Sequence, residues 1–179
     1  MAMNIIHRTT STTLLCSLLF LGSGDSASAA GTESGVVVVT ASIPPSCTIG
    51  TAAIAFNSYD PVNVHATVPD DQTGDIVIRC TKGATGISIG LGNGANNTGS
   101  QRRMVNSSDP TTTVDYEIYK ETARSTVWGP GDGGSHRSGA DMNGTGSNVT
   151  VTMFGRIPPH QLTATAGSYN DTLVSTILF

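Results

Sequence analysis

Charge, aromatic rings and long apolar runs are all scarce in this chain of 179 residues. Asp, Glu, Lys and Arg make up 12% of it and Phe, Trp and Tyr 5%; nine basic residues against thirteen acidic ones leave a net charge of −4. Beyond Arg102-Arg103 there is no Lys/Arg cluster, which argues against a nucleic-acid partner, whose phosphates demand a basic patch. No apolar run reaches the roughly 20 residues that a membrane-spanning helix needs. No segment repeats apolar residues at i, i+3, i+4 and i+7 over three turns, so the main helix signal is missing too. The chain also lacks G-x-S-x-G, H-E-x-x-H and a phosphate-cradling glycine loop. His65, His136 and His160 are scattered, and Asp70-Asp71 reads as a solvated turn. Asp141-Met142-Asn143-Gly144 begins like a calcium loop but lacks its further acidic ligands. An enzyme, a metal site and a cofactor are therefore not expected.

Three cysteines are present. Cys16 lies in a short apolar run, Leu14 to Leu21, that follows Arg8 and precedes Ala27-Ser28-Ala29. This is the layout of a secretory signal peptide with an A-x-A cleavage site, so residues 1–29 are expected to be removed. Cys47 and Cys80 remain, and in an exported protein an even pair reads as one disulfide.

What the chain does have is Gly, Thr, Ser and Val in short β-branched runs separated by turn residues. That is the pattern of an all-β sandwich or barrel. Strands are expected over Val36–Ile43, Cys47–Phe56, Asp75–Cys80, Gly86–Gly90, Asp115–Tyr119, Ser147–Arg156 and Thr172–Phe179. Gly129–Gly146, with seven glycines, is a long loop that is either plain surface or a binding element.

Both ends of the exported part invite a partner. Residues 30–46 hold a small-residue leader, the run Val36-Val37-Val38-Val39-Thr40-Ala41-Ser42-Ile43, and the stop Pro44-Pro45. With Val37, Val39, Ala41 and Ile43 on one face, such a strand can add to a foreign sheet edge or open its own sandwich. At the other end Leu173, Ile177 and Phe179 share a face. A sandwich ending there would lack a closing strand and expose an apolar groove. A donated strand at one end and a vacancy at the other, repeated without closure, give a filament.

Several segments in order resemble the spore coat protein U domain family, which includes subunits of archaic chaperone–usher pili. They are Ser46-Cys47-Thr48-Ile49-Gly50, Ile76-Val77-Ile78-Arg79-Cys80, Val114-Asp115-Tyr116-Glu117-Ile118-Tyr119, Ala123-Arg124, Trp128-Gly129, Phe154-Gly155-Arg156-Ile157-Pro158-Pro159, and Gly167-Ser168-Tyr169-Asn170-Asp171-Thr172-Leu173. The resemblance implies an immunoglobulin-like sandwich over residues 47–179 that lacks its final strand and is completed by donor-strand exchange. It implies Val37, Val39, Ala41 and Ile43 as donor residues, a Cys47–Cys80 disulfide, and Leu173, Ile177 and Phe179 along the acceptor groove. The partners implied are identical or related subunits, a periplasmic chaperone and an outer-membrane usher. The place implied is a fimbria on a Gram-negative cell, serving attachment and biofilm formation. Other readings are a spore-coat or surface-layer protein, or a glycan-binding module using the 129–146 loop.

Overall fold

The period-two alternation that marks Ile76, Ile78 and Cys80 runs further upstream than those three residues suggest, into an eleven-residue strand. In the computed structural model, which describes residues 30–131 and 135–179, nine strands form. They are β1 (Cys47–Ile49), β2 (Asp70–Cys80), β3 (Ser88–Leu91), β4 (Arg102–Asn106), β5 (Thr113–Tyr119), β6 (Arg137–Ser138), β7 (Asn148–Ile157), β8 (Tyr169–Asn170) and β9 (Ser175–Leu178). The expected signal peptide lies outside the described residues. No α-helix occurs among the described residues; two single 3-10 turns cover Val64–Ala66 and Ala140–Met142.

The strands make two antiparallel sheets, one ordered β1-β2-β7-β5-β4-β8 and one ordered β6-β3-β9. This is an immunoglobulin-like, all-β architecture. The long β2–β7 ladder, from Asp70↔Ile157 to Arg79↔Asn148, is its backbone. Alternation along both strands sends Ile76, Ile78, Val151, Met153 and Ile157 into the core, where they meet Ile87, Ile89, Ile118 and Trp128. Each such side chain contributes roughly 1.5–3 kcal/mol on full burial. Trp128 is fully buried and donates its indole N–H to the Ile89 carbonyl at 2.7 Å, which leaves the ring without a polar cost. Cys47 and Cys80 face each other across β1 and β2 and are joined as a disulfide.

Several expected boundaries move. Of Cys47–Phe56 only the first three residues pair; residues 50–56 leave the ladder at Gly50, whose N–H still reaches the Val77 carbonyl. β4 was hidden because its residues, Arg102-Arg103-Met104-Val105-Asn106, carry charge where a strand should look apolar. The 129–146 loop contains β6 and a 3-10 turn that buries Met142 completely. Asp70-Asp71 is no solvated turn: it opens β2, with Asp70 buried and accepting from Asn57 N–H and Gln72 Nε2.

The chain divides into two units, residues 1–40 and 41–179. Residues 30–40 of the first have no regular secondary structure and are exposed, as are residues 41–46 of the second. The strand expected over Val36–Ile43 is therefore not formed. Residues 36–43 enter no ladder, and β propensity alone does not hold an isolated strand.

Candidate functional site: an open cleft between two free edges

The apolar interior is not fully closed. A cleft of about 640 Å³ runs between residues 49–56 on one side and residues 169–175 on the other. Its floor is core: Ile76, Leu91, Tyr116, Ile118 and Met153. Ile54 and Phe56 form one wall and Leu173 part of the other.

The two walls share an unusual property. β1 ends one sheet and β9 ends the other, so each offers an unpaired edge. Among the described residues the backbone of 51–56 makes no ladder hydrogen bond; it is pinned only at its ends, by Gly50 N–H to Val77 and Asn57 N–H to Asp70 Oδ2. On the far wall, the bonds of Thr172 and Val174 go to Ala95 and Gly92, and those of Ser175 to Leu178 go to β3. Thr51, Ala52, Ala53 and Ala55 are exposed, so the 51–56 wall is a stretch of unladdered backbone beside an apolar floor.

Polar groups brace the rim. Tyr116 donates its hydroxyl to Asp171 Oδ2 at 2.7 Å, and Asp171 Oδ1 accepts from the backbone N–H groups of Ala95 and Asn96 and from Asn96 Nδ2. Burial foremost, then the neighbouring carboxylate, pushes the Tyr116 hydroxyl above its ordinary range, so it stays a donor. Arg102, 1% exposed, reaches from β4 to the other sheet. It donates to the carbonyls of Leu91, Gly92 and Trp128 at 2.7–2.9 Å and pairs with Glu117. On the outer face, Arg124 donates to the carbonyls of Gly155 and Gln72 beside the Asp71–Arg156 ion pair.

The expected site residues divide. Leu173 lines the cleft, and Ile177, four residues further along, packs on the core. Phe179 is 55% exposed and does not line it. Val37, Val39 and Ile43 are more than four-fifths exposed, together with Val36, and Ala41 is exposed as well. In the 129–146 loop, Arg137 and Asp141 pair with each other at 2.7 Å. Sequence reading missed the 50–56 wall, Tyr116 and Asp171; the signal for the wall was Gly50 followed by three small residues where a strand should have continued.

Residues 33–176 match the Spore Coat Protein U domain. Among curated proteins, Protein U of Myxococcus xanthus is 34% identical over 151 residues, which cover 78% of this chain and 80% of that protein.

Proposed function

Since this chain belongs to the Spore Coat Protein U domain family, we propose that it is a structural subunit of a surface fibre, a pilus or fimbria, assembled head-to-tail by donor-strand complementation. The observation that carries this reading is the cleft with its two free edges: it has room and unpaired backbone for one extended strand. The apolar run Val36–Ile43 has the matching chemistry. Val37, Val39, Ala41 and Ile43 would enter the cleft of a second copy, and main-chain bonds to both walls would add affinity independent of side-chain identity. Leu173 and Ile177 border the accepting strand, and Phe179 lies at its end. An open cleft of this kind needs a temporary occupant before assembly. A periplasmic chaperone supplying a strand, and an outer-membrane usher exporting the subunit, fit that need. The product would sit on the cell surface of a Gram-negative bacterium and serve attachment and biofilm formation.

The test is deletion of residues 30–43. The chain from Ala30 onward should form polymers visible by electron microscopy, and the deleted chain should form none while still capturing a peptide of residues 36–43. Polymers from the deleted chain would exclude this segment as the donor. A coat or surface-layer role is the second reading, favoured by the family's description. It predicts a monomer stable with its cleft empty.

A further inference from the structure

The wall of the cleft is seated on two glycines that the backbone itself does not require. Gly74 in β2 and Gly155 in β7 both occupy inward positions of their strands, and neither has the positive φ that would call for glycine. What each lacks is a side chain, and the space is taken. A Cβ on Gly74 would lie 2.1 Å from the Ala53 carbonyl oxygen and 2.8 Å from Ile54 Cγ1. One on Gly155 would lie 2.9 Å from Phe56 Cζ and 3.1 Å from Ile54 Cγ2. The missing methyl groups let residues 53–56 sink against the sheet, with Phe56 reaching the Tyr116 ring at 6.2 Å between centroids. An atom added beneath Ile54 and Phe56, two residues that line the cleft, displaces them from their seat on the sheet.

We infer that Gly74 and Gly155 set the width of the cleft, and with it the size of side chain an incoming strand can carry. This inference rests on the strand-accepting reading above and gives it a specificity determinant. Gly155 is the better probe, because its nearest neighbours are side-chain tips, whereas Gly74 meets backbone. A subunit with room for β-branched residues is matched to the valine-rich run Val36–Val39. One with alanine at position 155 is matched to a thinner strand.

The experiment uses the chain from Ala30 onward carrying V37D/V39D, which disables its own donor run and leaves the cleft open. Binding of two synthetic peptides is compared: residues 36–43 as they stand, and the same peptide with Val37→Ala and Val39→Ala. The parent should prefer the native peptide by about tenfold or more, in line with the several methyl groups it buries. With Gly155→Ala the preference should shrink or invert, while the disulfide and far-ultraviolet circular dichroism stay unchanged. A domain that was merely destabilised would weaken both peptides alike, so an unchanged preference in G155A overturns the inference. Should G155A not fold, G155A/F56L, which removes the ring tip that the new methyl group meets, should recover both the fold and the native preference; no recovery overturns it also. A parent that captures neither peptide sinks the strand-accepting reading itself, an outcome distinct from unchanged preference.

Discussion

The Tyr116 hydroxyl and Asp171 Oδ2 meet at 2.7 Å, tying the floor of the cleft to its rim. Through Asp171 that single contact also holds the turn at Ala95 and Asn96, so one wall of the cleft is braced from inside the core. Tyr116→Phe keeps the ring that Phe56 packs on and removes only the donor. A hydrogen bond to a charged acceptor contributes about 1.5–3 kcal/mol, so urea unfolding should lose stability of that order. Peptide capture should weaken as well.

Arg102 is the other brace. Its guanidinium satisfies three carbonyls and Glu117 at once while buried. Arg102→Ala takes the guanidinium from those carbonyls and leaves Glu117 with only the Ile118 N–H, and removing one partner of a buried ion pair costs about 3–5 kcal/mol. Arg102→Lys should rescue little, because a point charge cannot reach all of them. Thermal melts of the three proteins give the comparison.

The disulfide closes a segment 33 residues long. In the chain-entropy model it stabilises the fold by about 3–4 kcal/mol. Because β1 is an edge strand held to β2 through Cys47↔Cys80, reduction should loosen the cleft's 49–56 wall early. Hydrogen exchange in dithiothreitol should show β1 losing protection before the β2–β7 ladder does.

Asp71 sets an acid limit. Its hydrogen bonds to Arg156, with Arg124 nearby, hold its carboxyl below the usual carboxylate range. A depressed folded-state pKa contributes stability above the unfolded value, about 3.9, and that contribution is lost as pH falls through the folded value. Asp71→Asn should therefore be less stable near neutral pH and show a shallower loss of stability below about pH 4.

The sheet ladder was legible because its two long strands alternate cleanly: Ile76, Ile78 and Cys80 against Val149, Val151 and Met153. The Cys47–Cys80 pairing was legible from counting cysteines in an exported chain. β4 was not, since Arg102 is buried by its partners, which lie in β3, β5 and the Trp128 loop, far apart in sequence. Of the expected groove residues, Leu173 lines the cleft. Its second wall depends on Gly74 and Gly155 lying under residues 53–56, a steric relation between three distant segments that no local pattern carries.

The most direct measurement places a photo-reactive phenylalanine analogue at Val39 in a mixture of light and heavy-isotope copies of the chain. Crosslinked peptides are then identified by mass spectrometry. The account predicts that position 39 joins residues 49–56 or 169–175 of a different copy. Crosslinks confined to one copy, or directed outside the cleft, would contradict it.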